Sequence, residues 1–189
     1  MNYKRYANAV ASLIALIAFI GINANSAAGQ ELRWKTVKGI VQTQDVVGVG
    51  TGAITGGAPW NTLGGSVDVN LTNGTVNFSV RGLILAVGSV PALSASGLPI
   101  GTPAGITSVE GTLVCNVTGD QGPNSVSVTT PVTTLDAEGN AHFSGSFSSS
   151  IPSQCSTNTA LDDAFLIRIG SGAFEGAWIA FGAVLTTGS

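Results

Sequence analysis

Apolar and polar residues alternate along much of this chain after residue 30, which is the pattern of β-strands with one buried face. The clearest case is residues 66–71 followed by residues 75–85, where every second position is apolar over most of both segments. The Asn73-Gly74 pair between them favours the positive φ that tight hairpin turns need. The pattern predicts a β-hairpin.

Seven further segments alternate in the same way or form short apolar runs bounded by turn residues, and each is predicted to be a strand. They are residues 33–42, 46–54, 107–117, 125–135, 141–148, 164–169 and 177–185. Pro131 interrupts one of them and predicts an edge strand or a bulge there. Residues 89–105 contain three prolines and are predicted to form a long loop.

These elements predict an all-β, single-domain fold of about nine antiparallel strands with almost no helix. Two packed sheets and a closed barrel both fit the strand pattern, and we favour the β-sandwich. A further loop is expected at residues 152–159, just before the last two strands.

The first 28 residues have the features of a secretory signal peptide. Lys4 and Arg5 precede an uncharged apolar run at residues 9–22, and the small residues Ser26 and Ala28 stand where signal peptidase reads them. The run is shorter than the roughly 20 residues that span a membrane. We therefore expect cleavage after Ala28, a domain at residues 29–189 without a membrane span, and a secreted, periplasmic or cell-surface location typical of bacterial export.

The charge of the chain argues against nucleic acid as a partner. The whole sequence has seven Lys and Arg residues against ten Asp and Glu, a net charge of −3. Removal of Lys4 and Arg5 with the signal peptide leaves five cations against ten acids, a net charge of −5. Such a chain has too few cations to neutralise a phosphate backbone.

Cys115 and Cys155 are the two cysteines, and both lie in the exported part. Cysteines in an oxidising compartment most often pair, so we predict a structural disulfide between them. Two free thiols or half of a shared metal site are the alternatives, and no neighbouring histidine or third cysteine supports either.

The sequence motifs that resemble catalytic or cofactor sites have simpler explanations. Residues 48–53 match a loose dinucleotide fingerprint, but the Gly- and Pro-containing stretch behind them does not open a helix. The single histidine, His142, points away from the apolar face of its strand and has no nucleophile motif to serve. We expect no enzyme activity, no cofactor and no metal.

Two groups of carboxylates, Asp136 with Glu138 and Asp162 with Asp163, are close enough in sequence to suggest acid–base chemistry. Paired carboxylates in a cleft can hydrolyse glycosides. Their positions beside a turn and at a strand start are more typical of solvated turn residues.

Trp60 is the candidate binding residue, because the small residues 56–58 before it offer little to bury an indole. An exposed indole on a β-domain stacks on a sugar ring or anchors a protein partner. The alternative is a packing role at one end of the sandwich.

Residues 65–85, a hairpin running into Val80-Arg81-Gly82-Leu83, resemble strand patterns of secreted CHRD-type domains. Members of that family have a histidine-containing motif after this strand, whereas this chain has Ala86-Val87-Gly88-Ser89. We transfer no function from the resemblance.

The leading functional hypothesis is an exported, non-enzymatic β-domain that binds an extracellular glycan or protein. A structural subunit of a surface fibre or matrix, which would polymerise by adding a strand to an open sheet edge, is the alternative. A secreted hydrolase using Asp162 or Asp163 is the third hypothesis. The sequence does not specify the oligomeric state.

Overall fold

A computed structural model of the chain describes residues 30–86, 99–157 and 162–188. In these residues the fold is nearly all-β and forms a single domain, as the alternation predicts. The predicted signal peptide and most of the predicted loop at residues 89–105 lie outside the described residues.

The described residues contain thirteen strands, several of them only two residues long. In chain order these are β1 (Glu31–Gly39), β2 (Val46–Val47), β3 (Ile54–Thr55), β4 (Trp60–Asn61), β5 (Gly64–Asn70), β6 (Thr75–Arg81), β7 (Ile84–Leu85), β8 (Ser108–Cys115), β9 (Val126–Thr129), β10 (Thr133–Thr134), β11 (Ala141–Ser146), β12 (Asp163–Ile169) and β13 (Trp178–Gly188).

One antiparallel sheet contains nine of these strands. Its order is β10-β8-β12-β13-β1-β5-β6-β11, and β9 pairs with β8 beside β10. The predicted hairpin is confirmed as β5 and β6, with Asn70 opposite Thr75 and Gly74 at φ 72° in the turn. The break expected at Pro131 is also present, since it separates β9 from β10.

The sheet curls so that strands far apart in its order share one core. Trp34 of β1 and Phe78 of β6 both pack against Phe165 of β12, with ring centroids 5.9 and 5.7 Å apart. Gly111 of β8 lies at this contact, where a Cβ would overlap both phenylalanine rings. The sandwich-like core is therefore made by one sheet folded over itself.

The curl also brings the two edges of the sheet together. The Thr133 hydroxyl donates to the His142 carbonyl oxygen at 2.9 Å, and the Ser148 amide donates to the Thr129 carbonyl oxygen at 2.8 Å. These bonds connect the β9–β10 edge with the β11 edge, so neither edge is fully open.

The predicted strand at residues 46–54 is wrong. The structure has two short paired strands, β2 and β3, with a turn of 3₁₀-helix at Gly50–Gly52 between them. The Val49 amide donates to the Ser125 hydroxyl oxygen at 2.7 Å, and the Ser125 amide donates to the Val49 carbonyl oxygen at 3.0 Å. A Cβ on Gly52 would overlap the Ser125 carbonyl. The glycines allow this close packing, which explains the glycine spacing at residues 48–53 that matches a dinucleotide-binding fingerprint.

The expected loop at residues 152–159 contains a short helix, α1 (Ser153–Thr157). It is the only helix longer than one 3₁₀ turn in the described residues. Five residues make hardly more than one helical turn, which is too short for an apolar period to be recognised in the sequence. The helix carries Cys155.

Candidate functional site

The predicted disulfide is confirmed. Cys115 at the end of β8 and Cys155 in α1 are bonded, and both are fully buried. The bond attaches the β11–β12 connection to the sheet. Neither sulfur is available as a metal ligand or a nucleophile, so the disulfide is a structural element.

Trp60 is not an exposed stacking surface, because its side chain is only 4% exposed. Strand β4 pairs with β7, which places Trp60 opposite Leu85, and the Trp60 amide donates to the Ile40 carbonyl. The indole forms one wall of a small apolar cavity of about 80 Å³, together with Leu85 and the half-exposed Phe174. Leu85 and Phe174 come from other parts of the chain, while Gly57 and Ala58 also line the cavity. The burial of Trp60 fits the packing role that was the alternative to binding.

The sequence-predicted titratable residues do not come together in one cleft. His142 is exposed on β11, as its strand alternation predicts. The solvated position expected for Asp162 and Asp163 is wrong, because each is only 6% exposed. Asp162 accepts a hydrogen bond from the Thr118 amide at 2.7 Å. Asp136 lies in its turn, bonded to the amides of Asn140 and Glu138.

The Asp136 turn makes the stability of the fold depend on pH. The hydrogen bond from the Asn140 amide is the main cause that lowers the pKa of Asp136. Desolvation opposes it, and the weaker effects of the Asn140 side chain and the Glu138 amide add to the lowering. A lowered folded-state pKa stabilises the fold above the unfolded value and loses that contribution as pH falls through the folded value. We expect Asp136→Asn to cost more stability near neutral pH than at a pH below the lowered folded-state pKa of Asp136. Urea unfolding of both proteins at the two pH values measures the difference, and an equal cost at both would contradict it.

A groove lined mainly by polar residues lies on the outer face of β1, β5, β6 and β11. Its volume is about 380 Å³. Polar side chains line it in two rows across the four strands, one of Glu31, Asn70, Thr75 and Ser146 and the next of Arg33, Asp68, Asn77 and Ser144. Each row crosses three interstrand spacings of about 4.8 Å, or roughly 14 Å. We call these eight residues the polar groove.

Strand alternation puts these side chains on one face. In β5 and β6 the residues that alternate with these polar positions are buried in the core, among them Val69, Val76 and Phe78. The polar positions are half-buried or exposed in all four strands. The same pleat that builds the core therefore builds the groove.

Several hydrogen-bonding groups in the polar groove have no partner among the described residues. The side chains of Asn77, Ser144 and Ser146 make no such bond. Asn70 uses its carbonyl oxygen for the amides of Thr72 and Asn73 and keeps its NH₂ group unbonded. One row further along the strands, by contrast, the Ser66 and Ser79 hydroxyls contact each other at 3.4 Å.

The charges of the polar groove are two carboxylates and one guanidinium. Arg33 and Asp68 form an ion pair through Nε, and this hydrogen bond raises the pKa of Arg33 above its usual value. Glu31, in the neighbouring row, forms no ion pair within the described residues. The pair fixes the Arg33 side chain and leaves its terminal NH₂ groups for other contacts.

Sequence reasoning missed the polar groove because its residues come from four separated segments. The alternation in residues 66–71 and 75–85 predicts the exposed polar residues of β5 and β6. The groove residues of β1 and β11 are placed beside them by the pairing of β1 with β5 and of β6 with β11, which depends on contacts distant in sequence.

In the described part of the chain, no group of three or more His, Cys, Asp or Glu side chains is arranged to hold a metal ion. Over the same residues, no helix has the length and apolar character that crossing a membrane requires. No protein-family model matches this chain, and neither a curated protein nor a solved structure is similar enough to count as a relative.

Proposed function

We propose that this chain is an exported, non-enzymatic binding domain that recognises a glycan through the polar groove. The observation that supports this most is the pair of polar rows, with unbonded amide and hydroxyl groups in a groove of about 380 Å³. That volume lies within the range of about 300–1,000 Å³ that is usual for ligand sites.

The chemistry of the groove favours a glycan over a protein. Amide and hydroxyl groups both donate and accept hydrogen bonds, as do the hydroxyl groups of a sugar. Protein interfaces depend on a buried centre of aromatic or other large apolar anchors. The polar groove contains no aromatic side chain, and its apolar lining is limited to Val69, Val76 and the backbone at Gly145.

The disulfide supports export. Disulfides persist in oxidising compartments and are rare in the cytosol. The Cys115–Cys155 bond is buried in the fold, and the first 28 residues have the composition of a secretory signal.

A structural subunit that polymerises through an open sheet edge is the less favoured function. Strand addition needs a row of unpaired backbone groups along that edge. Here the bonds from Thr133 to His142 and from Ser148 to Thr129 connect the two edges of the sheet.

Removal of two groove side chains tests the proposal. We expect the Asn77→Ala/Ser144→Ala variant to lose about tenfold or more in affinity for any saccharide that the wild type binds, since each lost hydrogen bond contributes about 1 kcal/mol. A glycan array identifies the saccharides that bind, and isothermal titration calorimetry then measures the affinity of both proteins. Light scattering confirms that the two samples have the same oligomeric state.

The matched control is Asn61→Ala/Ser127→Ala, which removes the same side chains at exposed positions outside the groove. Equal affinity of the two double variants would assign binding to another surface. Absence of saccharide binding by the wild type would overturn the proposal.

A further inference from the structure

The distribution of charge around the polar groove points to the class of glycan that it accepts. The groove contains Glu31, Asp68 and Arg33, so its own formal charge is negative by one unit. Arg33 is already compensated by Asp68. An anionic sugar would find the terminal NH₂ groups of one guanidinium, whose charge already interacts with Asp68 and Glu31, and beside them the carboxylate of Glu31, which forms no ion pair in the described residues.

Charges further along the same face, two cations and one carboxylate, bring the formal charge of the face to zero and not to a positive value. Lys35 follows Arg33 by two residues on β1, and Arg81 ends β6, and both are exposed. Arg81 lines a shallow depression together with Asp136 and His142. On this face of the described residues, the cations Arg33, Lys35 and Arg81 are therefore interspersed with the carboxylates of Glu31, Asp68 and Asp136.

The net charge of the chain also disfavours the binding of anionic sugars. The sequence has a formal charge of −3, so its long-range field repels a polyanion rather than attracting it. Anion-binding sites need arginine or lysine groups that are free to form charge-assisted hydrogen bonds. The polar groove offers mostly neutral amides and hydroxyls.

We propose that the polar groove binds an uncharged saccharide and discriminates against anionic ones, and that Glu31 is a residue that enforces this choice. This inference rests on the proposed glycan-binding function. The neutral amide and hydroxyl groups of the two rows bond the sugar hydroxyls, and the unpaired carboxylate of Glu31 repels uronate, sulfate or phosphate substituents. The span of roughly 14 Å suits an oligosaccharide lying across the strands.

A charge reversal in the groove tests this inference. The probes are neutral oligosaccharides of glucose, mannose, xylose and N-acetylglucosamine, each paired with a carboxymethylated derivative that has the same backbone. We expect the exported wild-type protein to bind the carboxymethylated probe at least about tenfold more weakly than its neutral partner. In Glu31→Lys the ratio of anionic to neutral affinity should rise by up to about fivefold, the upper end of the effect of one exposed charge pair.

The matched control is Glu175→Lys, which makes the same change of net charge in the exposed hairpin between β12 and β13. We expect it to leave the ratio unchanged. An equal rise in both variants would overturn the assignment to Glu31. Preference of the wild type for the carboxymethylated probes would overturn the inference while leaving the glycan-binding proposal intact. Binding of neither probe class would overturn the proposal and the inference together.

Discussion

Replacing both cysteines, in a Cys115→Ala/Cys155→Ala variant, is expected to lower the free energy of unfolding by about 4 kcal/mol. The two cysteines are separated by 40 residues, and a bond between them restricts the unfolded chain by closing that loop. The chain-entropy model predicts this magnitude from the loop length. Since a typical domain is stable by about 5–15 kcal/mol, the loss is a large fraction of the total.

Urea unfolding at equilibrium measures this effect, with reduction of the wild type as its control. Reductant should destabilise the wild type by a similar amount and leave the double variant unchanged. A loss below about 1 kcal/mol would mean that the disulfide contributes little beyond packing, contrary to the loop-closure argument.

Truncation of Phe78 is expected to have the second large effect. Phe78 is fully buried and contacts both Phe143 and Phe165 at ring-centroid distances of 5.7 Å. Phe78→Ala should therefore leave a cavity where the curled sheet meets itself and cost about 3–5 kcal/mol. Phe78→Leu fills more of the space and should cost less.

Phe174→Ala is the matched control for that experiment, because Phe174 is half-exposed in the β12–β13 hairpin. We expect it to cost at most about 1 kcal/mol. If Phe78→Ala costs no more than Phe174→Ala in chemical unfolding, β6 does not pack on β12 and the sheet is not folded over in this way.

The strands that depend on local alternation could be predicted from the sequence. The β5–β6 hairpin follows from residues adjacent in the chain, with the Asn73-Gly74 pair specifying the turn. The exposure of His142 follows from the same alternation. The pairing of Cys115 with Cys155 needed only the number of cysteines and the exported context.

The remaining features depend on contacts that are distant in sequence. Trp60 lines a cavity with Leu85, Phe174 and other residues outside its own segment, so its neighbours in sequence give no measure of its exposure. Gly48 and Gly52 pack closely on Ser125, which a strand pattern does not reveal. The polar groove depends on the pairing of β6 with β11, and these two strands are separated in the sequence by residues 82–140.

Amide chemical-shift mapping by NMR is the most direct test of glycan binding in the polar groove. The protein, isotopically labelled, would be titrated with the neutral oligosaccharides of glucose, mannose, xylose and N-acetylglucosamine. We predict that the largest shifts cluster at Asn70, Asn77, Ser144 and Ser146, which share the outer face of three strands. Shifts confined to the apolar cavity around Trp60 and Phe174, or no shifts with any of these sugars, would contradict it.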